Sequence, residues 1–346
     1  MKPFIPISFI LSLLFACNPK KQPEFTSYQG YAQGTTFHIE VNGNNDYGSS
    51  IDSILKSIDK ELSLWDSTSW ISKWNAGNYN LPLGPHAYFC LQLSKHYFWQ
   101  SKGYFDPSLG PLVQYWGFGS SNNSFPDSVD SLILNQTRNL VGFDKVLSFD
   151  SSNQVLTPKY AGAKLDFNAI AQGYSVDALA AFLEENGHKN YMVEIGGEVR
   201  CKGKSPQNTS WKIGIDKPLS NNESRALQAI LNVEGGLATS GSYRKFYEQN
   251  GKKFAHVIDP KSGFPVSHQL VSVSVLAKTT AQADAMATAL LAMGTKPAIA
   301  FSKEHPDLGI FLIYEEAGAW QTYVSDKMKA SMAEQHDTES TKMNVE

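Results

Sequence analysis

The sequence predicts an α+β fold, and three observations carry that reading. Segments rich in Val, Ile and Tyr, bounded by Gly, Asn or Pro, recur as strands. Between them run longer segments whose apolar residues fall at helical spacing. The two kinds mix without the regular strand–helix alternation of a doubly wound sheet. The chain has 346 residues, 42% hydrophobic and 18% charged, which suits a globular domain with a sizeable core. A net charge of -3 gives no basic footprint, so nucleic acid is not an expected partner.

From the N-terminus, residues 1–16 read as a secretory signal. Lys2 supplies a positive start and Phe4 to Ala16 an apolar run too short to span a membrane. The run ends Leu14-Phe15-Ala16-Cys17, which resembles a bacterial lipobox with Cys17 as the lipidated mature N-terminus. Cleavage as a plain signal peptide is the alternative. Residues 17–26, polar with Pro19 and Pro23, read as the lipidated Cys and its tether. The folded domain is expected over 27–326, and the polar 327–346 as a disordered tail.

Within the domain, a helix is expected from Ile51 to Leu62, with Ser50 as its cap and Ile51, Ile54, Leu55, Ile58 and Leu62 on one face. A second covers His86 to Ser101 and stops at Gly103. A third runs from about Gly173 to Asn186 on the stripe Val176, Leu179, Ala180 and Leu183, with Gly187 as its stop. A fourth spans Ala281 to Met293 and a fifth starts near Pro297. Strands are expected at Thr36–Val41, Tyr191–Ile195, Trp211–Ile215, Leu227–Val233, Val271–Leu276 and Ile310–Tyr314. Cys90 sits in an apolar helical stretch and reads as a buried small hydrophobe, although a bridge to Cys201 is open in an exported chain.

Five stretches carry candidate chemistry. Asp166-Phe-Asn-Ala-Ile-Ala-Gln-Gly173-Tyr-Ser-Val-Asp177 is a small-residue loop leading into a helix, where backbone can approach a ligand and a helix N-terminus favours phosphate. A tightly packed helix start explains it equally. Ala255-His256-Val-Ile-Asp259-Pro260-Lys-Ser-Gly263 holds a histidine suited to act as general base, beside turn residues. The bland alternative is a hydrogen-bonding histidine and a turn that starts at Asp259. Asp284 and Thr288 lie four apart on one helical face, and their hard oxygens suit Mg²⁺. An Asp at a helix start, with a Thr bonded back to a carbonyl, is the competing explanation. The Gly103–Gly119 run sets Tyr104, Phe105, Asp106 and Trp116 among glycine turns, as a ring cradle or as core packing. Trp65 can stack on a ring or fill the core. The chain has no His-Glu-x-x-His, Cys-x-x-Cys, P-loop or Gly-x-Ser-x-Gly signature.

Taken in order, these stretches resemble the ApbE family of FAD:protein FMN transferases. The resemblance is carried by Gly34-Thr35-Thr36, Leu64-Trp65, Ile71 to Asn75, Phe105-Asp106-Pro107 through Gly119, and Asp166 through Asp177. It continues in Val193-Glu-Ile-Gly-Gly-Glu198, Ala238 to Arg244, His256 through Gly263 and Ala283 through Ala289, so it spans the whole folded region. It implies a central, mostly antiparallel sheet wrapped by helices, with FAD in a cleft between lobes. Around the FAD it implies Gln33, Trp65, Tyr104, Phe105, Asp106, Asp166, Gln172 and Ile258. The family often has Met where Gln33 stands, and Lys or Glu where Gln172 stands. It implies a metal bound by the Ala169 carbonyl and the side chains of Asp284 and Thr288. The implied reaction moves FMN from FAD to a Thr or Ser hydroxyl of an exported acceptor and releases AMP. His256 is the expected base, and Asp259 the residue that orients it or helps to hold the metal. The expected acceptors are flavoprotein subunits of membrane electron-transfer complexes, met at a bacterial membrane on its periplasmic side. Two rival readings stand beside this one: an FAD pyrophosphatase, and a lipoprotein that binds FAD without turnover.

Overall fold

In the computed structural model, residues 24–119, 125–218, 226–242, 246–249 and 252–333 are described. The expected signal peptide, Cys17 with most of its tether, Tyr243 and Arg244, and the tail after residue 333 lie outside the described residues. Among the described residues no helix is long and apolar enough to cross a membrane.

The chain opens with a hairpin of β1 (Phe25–Ala32) and β2 (Thr35–Asn42). Its two-residue turn, Gln33-Gly34, has positive φ at both positions, the turn that matches the strand twist. Helices α1 (Gly48–Leu62), α2 (Trp70–Asn75), α3 (Pro85–Gln100), α4 (Gly110–Tyr115), α5 (Ser131–Arg138) and α6 (Phe143–Val146) follow. A small hairpin of β3 (Leu147–Asp150) and β4 (Val155–Pro158) precedes α7 (Ala171–Glu185). Then come β5 (Tyr191–Ile195), β6 (Glu198–Lys202), β7 (Trp211–Asp216), β8 (Leu227–Val233), β9 (Gly235–Gly241), β10 (Phe246–Gln249) and β11 (Lys252–Ala255). The chain continues through β12 (Leu270–Ala277), α8 (Thr280–Met293), α9 (Thr295–Glu304), β13 (Gly309–Glu316), β14 (Ala319–Val324) and α10 (Asp326–Ser331).

Eight strands form the central sheet, in the order β1-β2-β5-β6-β9-β12-β13-β14, with every pairing antiparallel. The α+β fold with a central antiparallel sheet is therefore as expected. The sheet buries both faces. On β12 and β13, Val273, Val275, Ala277, Ile310 and Leu312 face the helices, while Leu276, Phe311 and Ile313 face the β7–β8 hairpin and α10. Helix α8 lies almost wholly inside; Ala283, Ala285, Ala287 and Ala289 let it sit close to the sheet and to α7.

Several expectations move. Helix α1 starts at Gly48 and has no side-chain cap, so Ser50 does not cap it. Helix α9 starts at Thr295, ahead of Pro297. The folded chain includes β1 from Phe25, inside the stretch expected as tether. It also runs past residue 326, because Met328 of α10 is fully buried and Ala333 N–H bonds Ile230 O at 2.9 Å. Cys90 and Cys201 are both buried and free, so they do not pair. The apolar stripe of α7 is buried as expected.

Candidate active site

Helices α7 and α8 meet at Gly173. A Cβ there would stand 2.6 Å from Thr280 O and 2.8 Å from Asp284 Cβ, so only glycine permits the approach. The closeness lets the Gly173 N–H donate to Asp284 Oδ2 at 3.1 Å. In a regular helix that N–H would reach back to Ala169 O. Spent on Asp284, it leaves the Ala169 carbonyl with no backbone hydrogen bond among the described residues. One turn along α8, the Thr288 hydroxyl pairs with Ser240 Oγ of β9 at 3.1 Å. Asp284 is buried; desolvation, with Asp177 as a like-charged neighbour, pushes its carboxyl up to about 7.

A cation fits this arrangement. Among the described residues the Asp284 carboxylate has no cationic partner, and the nearby donors are hard oxygens. Among the described residues no three His, Cys, Asp or Glu side chains cluster for a metal, so any cation would draw further ligands from phosphate or water.

Three residues before Ala169, Asp166 lines a small, solvent-open cleft, together with Leu64, Asn75, Val113, Phe118 and Lys164. The loop is pinned there by Asn75, whose amide donates to Leu165 O at 2.9 Å and accepts from Leu165 N–H at 2.8 Å. Asp166 N–H also donates to Pro107 O at 2.8 Å, which ties the loop to the Gly103–Gly119 run. Burial raises the Asp166 carboxyl, although Asn168 N–H donates to it. Trp65, beside Leu64, is 66% exposed, so it is not core.

The Gly103–Gly119 run is firmly packed. Phe105 and Trp116 are buried, and Trp116 Nε1–H donates to Gly263 O at 2.8 Å. Asp106 is buried and accepts from Ser108 N–H at 2.8 Å and Ser108 Oγ–H at 2.6 Å; burial raises its carboxyl to about 6. Lys261 Nζ sits 3.8 Å over the ring of Tyr104. Ile258 packs with Leu112, Trp116 and Phe118, so the turn after β11 is built against this run. His256 is half-buried one residue past β11. Asp259 gives both carboxylate oxygens to its own turn, accepting from Lys261 N–H at 3.0 Å and Ser262 N–H at 3.2 Å.

Gln33 and Gln172 lie at the sheet end of the site. Gln33 Nε2 donates to Ser175 Oγ of α7 at 2.7 Å, while its Oε1 is buried without a partner among the described residues. Gln172 Nε2 would stand 3.1 Å from a Cβ on Gly196, in the Gly196-Gly197 turn beside Thr35. The structure thus brings together Ala169, Asp284 and Thr288; Leu64, Asn75 and Asp166; and the Tyr104–Trp116 run with the Ile258–Gly263 turn. Residue-by-residue reading assigned nothing to Asn75, Asp177 or Arg200. The signal for Asn75 was a side-chain amide opposite a loop with no regular backbone partners; Arg200 carries no local signal.

A helix pair with unspent hard oxygens, next to a cleft lined by Asp166, Asn75 and Phe118, defines an α+β protein suited to a phosphate-bearing ligand. The comparisons make this specific. Residues 33–312 match the ApbE family. An FAD:protein FMN transferase of Haemophilus influenzae is 33% identical over 341 residues, 94% of this chain and 96% of the relative. One from Vibrio cholerae is 30% identical over 330 residues, 92% and 96% of the two chains. The solved flavin transferase ApbE of Vibrio cholerae superposes with a TM-score of 0.79 at 29% identity, covering 89% of this chain and 99% of that one. The apo flavinyl transferase ApbE of Pseudomonas stutzeri gives a TM-score of 0.81 at 28% identity, over 90% and 98%. The chain belongs to the ApbE family.

Proposed function

We propose that this protein is an FAD:protein FMN transferase, and that it joins FMN to a Thr or Ser hydroxyl of an acceptor and releases AMP. Its full-length similarity to transferases of that name supports the overall activity. The observation that carries the site chemistry is the Gly173–Asp284 hydrogen bond, which leaves the Ala169 carbonyl unspent next to a buried carboxylate. Asp284, Thr288 and the Ala169 carbonyl would hold Mg²⁺, which when bound neutralises and orients the pyrophosphate oxygens.

The protein's own groups do the rest. The cleft at Asp166 and Asn75 binds the dinucleotide, with Trp65, Tyr104, Phe105, Asp106 and Ile258 around it. Gln33 and Gln172 close its sheet end. His256 takes the proton from the acceptor hydroxyl as that oxygen attacks the FMN phosphorus. The P–O bond to the adenylate half breaks, and AMP leaves with the electron pair. The new phosphoester keeps the flavin on the acceptor. Asp259 shapes the turn that follows His256, and so fixes where the histidine is presented.

The lipobox reading supports a chain anchored through Cys17 to a bacterial membrane on its periplasmic side. Flavoprotein subunits of membrane electron-transfer complexes are the proposed acceptors there. The cleft is open to solvent, so water is the natural competitor for the FMN phosphorus. Incubation of the chain from Asn18 onward with FAD, Mg²⁺ and a candidate acceptor domain, read by in-gel flavin fluorescence, tests the proposal. Fluorescence on the acceptor that is lost in Asp284→Ala and His256→Ala supports it. Turnover to free FMN and AMP with every acceptor tried would make the protein a pyrophosphatase. Bound FAD with no AMP would leave a binding lipoprotein.

A further inference from the structure

Asp177 and Arg200 do not line the cleft, yet together they tie down the helix that carries Asp284 and Thr288. Asp177 lies on α7, one turn after Gly173. Its Oδ1 accepts from Thr280 N–H at 2.9 Å and its Oδ2 from Ala281 N–H at 2.8 Å, the opening N–H groups of α8. Helix starts leave such donors orphaned. The N-cap Thr279 side chain takes Gln282 N–H, and the neighbouring helix takes those of Thr280 and Ala281. Arg200 of β6 closes the arrangement. Its Nη1 donates to Asp177 Oδ1 at 2.9 Å and to Lys278 O at 2.9 Å, just before α8 begins. Thr280 Oγ1–H bonds Val199 O at 3.3 Å. One guanidinium therefore links the sheet, α7 and the start of α8 about one turn before Asp284.

We infer that Asp177, held by Arg200, is a positioning residue for the cation site. It sets the rotation and depth of α8, so that Asp284 meets Gly173 N–H and presents its remaining oxygen capacity beside Ala169. The inference rests on the cation reading of Asp284 and Thr288 given above. The contact at Gly173 leaves no slack: a Cβ there already fails to fit, so a small shift of α8 breaks the Gly173–Asp284 bond.

The test is Mn²⁺ affinity, read by electron paramagnetic resonance on the folded protein without FAD or acceptor, alongside the Mg²⁺ dependence of turnover. Four proteins are compared: wild type, Asp284→Ala, Asp177→Asn and Arg200→Gln. The last leaves the Asp177 carboxylate in place and removes the guanidinium that ties it, and the Lys278 carbonyl at the start of α8, to the sheet. We expect both positioning variants to weaken Mn²⁺ binding about tenfold, the loss typical of residues that orient metal ligands. The Mg²⁺ concentration for half-maximal turnover should rise in step, with the maximal rate recovered at high Mg²⁺. Lower melting temperatures with unchanged Mn²⁺ affinity would reduce the pair to a helix cap and overturn the inference. No Mn²⁺ binding by wild type would instead sink the cation reading itself. If Asp177→Asn fails to fold, Arg200→Gln decides alone.

Discussion

Gly173 and Asp284, 111 residues apart in sequence, are joined by a 3.1 Å hydrogen bond from backbone N–H to carboxylate, at the one point where α7 and α8 approach too closely for a side chain. Gly173→Ala must push Thr280 or Asp284 aside. We expect a loss of about 1–3 kcal/mol of stability, the cost of overpacking a tight core, seen as a lower denaturant midpoint. Flavin transfer should fall more steeply than stability, because the same shift displaces Asp284.

Asp284→Asn keeps the shape and the acceptor for Gly173 N–H but removes the charge. Transfer should drop by about 100-fold or more, since stabilising charge on transferring phosphoryl oxygens is worth several kcal/mol. Chemical denaturation without metal should show an equal or higher midpoint than wild type, because a buried, uncompensated carboxylate is costly. Fluorescence quenching should show FAD still bound.

Trp65 is a separate case. Its exposure means that Trp65→Ala should leave stability within about 0.5 kcal/mol of wild type. Loss of a stacking partner should weaken FAD binding by about 2- to 10-fold, the range of aromatic pair energies. Equilibrium titration of flavin fluorescence measures this directly.

Burial raises the Asp106 carboxyl to about 6 from an unfolded value near 3.8. Between those values the folded state binds more protons than the unfolded one. The stability from protonated Asp106 is therefore complete below about pH 4 and lost as pH rises through about 6. Two pKa units correspond to about 3 kcal/mol at most. Denaturation midpoints of wild type should decline across this window relative to Asp106→Asn, and the two curves should run parallel above about pH 7.

Much of this frame is legible in the sequence. Tyr191–Ile195 and Leu227–Val233 have the bounds expected from their β-branched and aromatic residues. What sequence misses is strand made of unlikely residues. Strand β9, Gly-Gly-Leu-Ala-Thr-Ser-Gly, reads as turn material but lies in the middle of the sheet. A Cβ on Gly236 would stand 2.3 Å from Thr280 N, so small residues are what α8 requires there. Strand β1 is polar because it is an edge strand with little to bury. At the site, the helical spacing of Asp284 and Thr288 was visible. The Asp177–Arg200 link joins residues on different elements, and no local pattern encodes it. Asp259 shows the opposite: its turn chemistry was legible, and the turn takes both carboxylate oxygens.

The most direct test of the central claim follows the two halves of FAD separately. The protein is mixed with Mg²⁺, an acceptor domain and FAD labelled either in the flavin or in the adenine. Flavin label should become covalently fixed to the acceptor while an equal amount of adenine label leaves as AMP. Both labels on the acceptor, or release of AMP with no acceptor that ever retains flavin, would contradict it.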